Sequence, residues 1–484
     1  MAATIKKTNK VSDFFKSIGI YFKSFAEAVA KGDVFVKLSL IWVGAGYARR
    51  KQFIRSLLVT VLQAAVIAYS VLIAPQYISK FHNLGEVQME MVFDINTMKN
   101  IPNDYDDSFQ ILLFSVISII IWIVFFFFWI SNVINVYKLQ RKAEKGEHIN
   151  NFKEDISDYL NEKFHITLLS VPVLGIVLFS IVPIFILILV AFTNYDQEHM
   201  APTALFTWNG LTNFINLFGG GGMTVTFGYS FVRVLGWTLV WAFFATFTTY
   251  FGGILLALFL NNKRTKLAKL WRSLFVVTIA VPQFVSLLLV RNFFANNGIA
   301  NTMLENIGVT DFLQNIGLLS YDYIPFLSAP GWAHVTIIMV NIWIGIPYQM
   351  LIATGVLSNL PADQIESARI DGANTGQIFR HITMPYVLFV TGPALVTDFV
   401  KNINNFNVIY LLTQDVFTTT DQYLANSQAK EVDLLVTWLF RLTQEYYNYK
   451  MASVIGICVF VICAVFTLVA FNLMTSKDKE EVYN

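Results

Sequence analysis

Apolar and polar positions alternate along this chain in long blocks. Eight stretches stay apolar long enough to cross a bilayer: 53–78, 109–137, 167–193, 231–261, 270–292, 333–357, 386–412 and 450–474. A helical crossing needs about 20 such residues. In lipid the backbone must satisfy its own hydrogen bonds, which selects helices for runs of this length. The expected fold is therefore all-α, a polytopic membrane protein of about eight transmembrane helices. A further stretch, 34–48 (VFVKLSLIWVGAGYA), is too short to span. Beside Arg49, Arg50 and Lys51 it reads either as a helix lying on the membrane surface or as a continuation of the first span.

Composition agrees. The 484 residues are 55% hydrophobic and 14% charged, against roughly 25% charged in soluble domains. The net charge of +2 comes with no basic stripe, so nucleic acid is not an expected partner. Cys458 and Cys463 lie in one apolar run and read as small hydrophobes. No secretory signal peptide is evident, because the first spanning run begins only after about fifty residues.

Charge also sets orientation. Basic residues crowd the N-terminal arm, the 138–164 loop (Lys138, Arg141, Lys142, Lys145) and the 262–272 link (Lys263, Arg264, Lys266, Lys269, Arg272). These alternate loops share a side, which the positive-inside bias makes cytoplasmic. Both termini then lie inside, as does 358–385 with Arg369, Arg380 and His381. Gly219 to Gly222 form an outer turn, and no phosphate-binding G-x-x-x-x-G-K-[ST] occurs. There is no H-E-x-x-H spacing and no catalytic constellation. Neither a metal site nor an enzyme activity is expected.

One inner segment is polar and punctuated by glycine: ESARIDGANTGQIFRHITMP, residues 366–385. Pro361 suits the first turn of a helix running to Ile370. Gly372 suits its left-handed stop. Asn374 and Gln377 form a capping pair for a second short helix, with Ile378, Phe379 and Ile382 on one face. Pro385 marks the entry to the seventh span.

Glu366, Ala368, Gly372, Ile382, Met384 and Pro385 stand at the spacing of the "EAA" loop of binding-protein-dependent ABC importer permeases. Asp371-Gly372-Ala373 strengthens the match, while Ser367 and Met384 are mild departures. The resemblance extends through NGLTNFINLF (209–218), GGILLALFLNN (252–262), VNIWIGIPYQM (340–350) and NNFNVIYLLT (404–413). The last two are similar to the larger, MalF-like permease subunit of maltose/maltodextrin importers. GDVFVKLSL (32–40) resembles the leader of Gram-positive members, and no outer connection reaches much beyond forty residues, as a large inserted domain would require.

The resemblance implies a type I importer permease fold. Residues 1–52 become a cytoplasmic arm with the interfacial helix. Residues 53–165 become a two-helix extension with its cytoplasmic loop, and 166–484 the permease core with coupling loop 361–385. The chain itself carries no cofactor. ATP and Mg belong to a dimer of ATPase subunits that grips the loop. A second, MalG-like permease and an external lipid-anchored sugar-binding protein complete the set, at the bacterial plasma membrane.

Spacing supplies a candidate solute site. In the sixth span Asn341, Ile344, Gly345 and Tyr348 stand at i, i+3, i+4 and i+7, and Asp398, Lys401, Asn402 and Asn405 repeat the offset in the seventh. Polar groups at membrane depth face protein or a watery cavity. Asparagine amides offer donors and acceptors to sugar hydroxyls. Tyr348 can cover a sugar's apolar face, Gly345 lets a ligand approach the backbone, and Pro347 is a place to bend. The family sets its sugar against these positions. Asn341, Gly345, Tyr348, Asn402 and Asn405 agree with its pattern and Ile344 nearly so. Asp398 and Lys401 depart from a small hydroxyl residue and an aromatic, and either reach further hydroxyls or neutralise each other. The same stripes can also serve as interhelical glue. Two other functions remain open: an ion-coupled sugar carrier using Asp398 and Lys401, and a membrane-embedded transferase.

Overall fold

The computed structural model describes residues 10–96, 98–219, 224–262, 264–414 and 421–474. Lys263 and Gly220 to Gly222 lie outside them. The fold is all-α apart from a small antiparallel ribbon, Met91–Asp94 with Lys99–Pro102. Among the described residues seven helices are long and apolar enough to cross a membrane: Phe53–Leu72, Ser108–Glu144, Phe164–Val190, Thr226–Asn261, Pro330–Ser358, Thr375–Leu412 and Tyr449–Leu473.

The expected fifth span is not straight. It is two helices, Ala268–Ala280 and Gln283–Phe293, bent by 96°. Pro282 lacks an N–H and holds Val281 extended (φ −80°, ψ 126°), which ends the first arm. Phe275 on that arm packs with Met350 and Ala353, toward the inner end of the sixth span. Leu287 on the second arm joins the buried cluster with Val408 and Ile409 that also holds Ile337 and Val340, toward that span's outer end. The arms thus join clusters at opposite ends of one helix, the arrangement of a single broken crossing. Among the described residues this makes eight.

The chain divides into two compact units between Trp208 and Asn209. In the first unit, the expected helix over 34–48 is two short helices, Val34–Leu38 and Ala45–Arg49. They are not continuous with the first span. Val36 and Tyr47 are buried with Val133 and Val136 of Ser108–Glu144. A Cβ on Gly46 would lie 2.1 Å from Val136 Cγ1, so only glycine fits there. The mixed-charge stretch 143–158 contains the start of a capped helix, Phe152–Leu160, and Asp155 pairs with Arg55 at 3.4 Å.

The outer segment between the first two spans closes on Asp106. Its carboxylate pairs with Lys80 and accepts the backbone N–H groups of Glu86 (3.0 Å) and Val87 (3.2 Å). Burial acts to raise the carboxyl, but Lys80 and the two N–H groups outweigh it and hold it below the ordinary carboxylate value. A depressed folded pKa stabilises above the unfolded value of about 3.9, and that support is lost as pH falls through the folded value. Asp106→Asn is therefore expected to speed amide exchange across 80–87 at neutral pH, with the gap from the wild type closing below about pH 4. Hydrogen exchange read by mass spectrometry checks both arms.

Candidate functional site

The second unit is organised by the pair Thr226–Asn261 and Pro330–Ser358. Glycines let the two backbones meet. A Cβ on Gly253 would lie 2.4 Å from Gln349 Cβ and 2.8 Å from the Met350 backbone nitrogen. One on Gly252 would meet Ile346 at 2.7 Å, and one on Gly345 would meet Thr249 Cγ2 at 2.6 Å. Small residues at such a seam are what close helix packing in a membrane requires. Trp241, Ala245, Ile337 and Val340 are buried toward the outer end, and Tyr250, Ile254, Met350 and Ala353 toward the inner end. The Tyr250 hydroxyl meets Thr391 Oγ1 at 2.6 Å, tying in the seventh span.

On the flank of this seam lies a cavity of about 950 Å³, near the upper end of ordinary ligand pockets of roughly 300–1,000 Å³. All eight residues of the two expected stripes line it: Asn341, Ile344, Gly345, Tyr348, Asp398, Lys401, Asn402 and Asn405. Several polar groups already have partners. Asn341 Nδ2 donates to the Ala245 carbonyl (3.4 Å), and Asn402 Nδ2 to Thr246 Oγ1 (2.9 Å). Asn405 Nδ2 donates to Asn402 Oδ1 at 3.3 Å. One bond leaves an amide with unused donor and acceptor capacity, so gluing helices and meeting a ligand are compatible. Tyr348 is half exposed on the cavity wall.

The structure adds detail at four positions. Asn405 does not continue the helical face: the seventh span breaks after Ile403, and Asn405 caps Phe406–Leu412 through Val408 N–H at 3.3 Å. Asp398 does not pair with Lys401. Among the described residues its partner is Gln349, whose Nε2 donates at 2.7 Å and links the sixth and seventh spans. Gly345 has a packing reason, its contact with Thr249, whatever else it admits. Pro347 is buried inside a helix that continues through it.

The stripes missed a whole wall. Thr278 to Gln283, with Ser286 and Val290, line the same cavity. A broken helix leaves carbonyls at the end of one arm and N–H groups at the start of the next without intrahelical partners. Such backbone is tolerated at membrane depth where it lines a cavity. The signal was present in the sequence as Val-Pro-Gln inside an apolar span. Gln349 escaped because it lies one residue off the stripe.

The inner segment folds largely as its sequence reads. Pro361 is the cap, one position before the helix Ala362–Ile370. Gly372 takes φ +85°, its N–H donates to the Arg369 carbonyl at 3.1 Å, and Ala373 N–H donates to Ala368 at 2.9 Å. Asn374 and Gln377 form the reciprocal capping pair at 2.8 and 2.9 Å. The second helix is not separate. It runs through a π turn, Phe379–Thr383, into Met384–Ile403, with Pro385 in the first turn after the π segment. Glu366, Ser367, Asp371 and Gly372 are exposed, Ala368, Ala373, Ile382, Met384 and Pro385 half-buried. Ile370 stands 86% exposed at the elbow.

A second cavity, about 1030 Å³, opens at the outer end of the fourth span among Arg233, Trp237, His334 and Glu431. The rings of Trp237 and His334 lie 3.9 Å apart. Among the described residues no three His, Cys, Asp or Glu side chains group as metal ligands.

The family described as "Binding-protein-dependent transport system inner membrane component" matches residues 249–479. Over 388 residues the chain is 31% identical to the maltodextrin transport system permease protein MdxF of Bacillus subtilis, covering 80% of this chain and 86% of that one. Over 452 residues it is 30% identical to the galactooligosaccharides transport system permease protein GanP of the same organism, covering 93% and 99%. A crystal structure of a bacterial ABC transporter for alginate import superposes with TM-score 0.50 at 23% identity, over 67% of this chain and 97% of that one.

The Gly345 contact makes a specific expectation. Gly345→Ala should lower the thermal stability of the sugar-free protein by about 1–3 kcal/mol through overpacking. Adding Thr249→Ser, which removes the Cγ2 methyl, should recover most of it. Stability lost with no recovery in the double variant would contradict the seam.

Proposed function

We infer the function from one premise: this chain belongs to the family of binding-protein-dependent transport system inner membrane components. It is a multi-pass bacterial membrane protein and the permease subunit of an ATP-driven sugar importer. We propose an oligosaccharide as cargo, maltodextrin-like in its demands. Two relatives spanning most of the chain are named for maltodextrin and for galactooligosaccharides, both chains of hexose rings. The observation that carries the reading is the convergence of Asn341, Tyr348, Asp398, Lys401, Asn402 and Asn405 on one cavity of ligand size.

In this reading the asparagine amides meet ring hydroxyls, Tyr348 covers an apolar sugar face, and Asp398, held by Gln349, offers its remaining acceptor capacity. The Asp398 and Lys401 departures bear on which linkage or chain length fits. The partners are a second homologous permease, a dimer of ATPase subunits that binds ATP and Mg, and an external lipid-anchored binding protein that delivers sugar. The chain itself performs no chemistry.

Coupling runs through 361–385. The left-handed turn at Gly372 stiffens the elbow between Ala362–Ile370 and the helix that becomes the seventh span. The seventh span carries Asp398, Lys401 and Asn402, so a push at the elbow reaches the cavity along one helix. The closed ATPase dimer must bind the outward-open state more tightly than the inward-open one, since only differential affinity shifts a conformational equilibrium. An ion-coupled carrier has no use for such an elbow.

Reconstitution with the partner subunits tests this. Labelled maltodextrin should enter proteoliposomes only with ATP and loaded binding protein. Gly372→Pro, which cannot adopt positive φ, should abolish stimulation of ATPase activity while the chain still inserts. Uptake driven by an ion gradient without ATP, or normal stimulation in the variant, would contradict the proposal.

A further inference from the structure

The second arm of the broken fifth span, Gln283–Phe293, carries a face that the two stripes do not account for. At about 100° per residue, Gln283, Ser286, Val290 and Phe293 fall within roughly 80° of one another, and all four line the cavity of about 950 Å³. Pro282 caps this arm at the bend, so Gln283 and Ser286 occupy its first turn, inside the crossing. Polar side chains there face protein or a watery space, not lipid.

Hydrogen bonding sets these two side chains apart. The stripe asparagines are committed within the protein: Asn402 Oδ1 accepts from Asn405 Nδ2, and Asn405 Oδ1 accepts from the Val408 N–H. Asp398 takes the Gln349 amide. On the first arm, Thr278 Oγ1 donates to the Phe275 carbonyl at 2.6 Å. Among the described residues neither the Gln283 nor the Ser286 side chain makes a hydrogen bond. Gln283 is exposed and Ser286 half-buried. Polar residues that glue helices together show the bond that does it. This arm is held instead by Leu287, buried with Val408 and Ile409.

An unpartnered polar group beside a ligand-sized space is a source of selectivity. A group already bonded to protein loses little when a ligand lacks a hydroxyl. An amide or hydroxyl that depends on the ligand is left unsatisfied, and that penalty rejects the analogue. The Gln283 amide can donate to one ring hydroxyl and accept from another, and Ser286 adds a donor and an acceptor one turn along. Val290 and Phe293 on the same face offer apolar surface to ring carbons.

We propose that Gln283 and Ser286 are specificity-determining contacts, each pairing with a hydroxyl of a hexose ring that the two stripes hold from the other side. This rests on the oligosaccharide reading above, and it gives the second arm the choice among hexose chains that differ in one hydroxyl.

The test uses the assembled transporter in proteoliposomes, with ATP and saturating binding protein loaded with maltotriose or with its singly deoxygenated analogues. The binding protein's own preference is common to every permease variant and cancels in the ratio of variant to wild-type uptake. Gln283→Met keeps the side-chain length and drops the amide, and Ser286→Ala drops only a hydroxyl. Each should slow uptake of the parent sugar roughly two- to tenfold. For one analogue each, the ratio should return to near one, because the matching hydroxyl is already gone. Ser286→Thr, which keeps the hydroxyl, should discriminate among the analogues as the wild type does. Ser286→Ala, the smaller change, decides alone if the other variant fails to assemble. Variants that match the wild type on the parent sugar would overturn the assignment and leave the oligosaccharide reading standing. So would a loss by the same factor with every analogue, which would make the face a packing surface. No ATP-dependent uptake of any of these sugars by the wild type would overturn both.

Discussion

Three missing Cβ atoms hold the second unit in its present arrangement. Gly252, Gly253 and Gly345 let Thr226–Asn261 and Pro330–Ser358 approach until backbone meets backbone, with Met350 nitrogen 2.8 Å from where a Gly253 Cβ would stand. Between helices in lipid there is no hydrophobic driving force, so close packing has to supply the attraction. That contact fixes the rotation of the sixth span. With it are fixed the directions of Asn341, Tyr348 and Gln349, all of which line the cavity.

The cavity follows from a second constraint, the backbone of the broken fifth span. Carbonyls before Pro282 and N–H groups after it cannot face lipid. Thr278 to Gln283 line the same space as the asparagines, so the cavity is bounded by the two stripes on one side and by the broken span on the other. The Gln349–Asp398 bond closes the arrangement by joining the sixth span to the seventh, whose inner end is the elbow at Gly372. Seam, cavity and elbow thus lie on one connected set of helices.

Much of this was legible in the residues. Periodicity placed the eight crossings, and capping chemistry placed the stop at Gly372 and the Asn374–Gln377 pair, because those signals are local. The stripes at 341–348 and 398–405 converge on one cavity. The misses were non-local. Asn405 looked helical because nothing in its neighbours announces the break after Ile403. The sequence left Asp398 either reaching further hydroxyls or neutralised by Lys401, and its partner Gln349, 49 residues earlier, is not visible in the spacing. That 34–48 is two short helices with Gly46 against Val136 was not visible either, because that contact lies ninety residues away. Pro282 was visible, yet its consequence needed the packing of both arms to read.

The most direct measurement of the central claim, that the seam presents the sixth and seventh spans to a sugar-accessible cavity, is thiol protection at Tyr348→Cys. With Cys458 and Cys463 replaced and the transporter assembled, a hydrophilic maleimide should modify position 348. Saturating oligosaccharide should slow that reaction under turnover, while an exposed loop control outside the spans, Lys145→Cys, should label with no sugar effect. A thiol at position 348 that no water-soluble reagent reaches, or whose labelling rate is the same with and without sugar, would contradict the account.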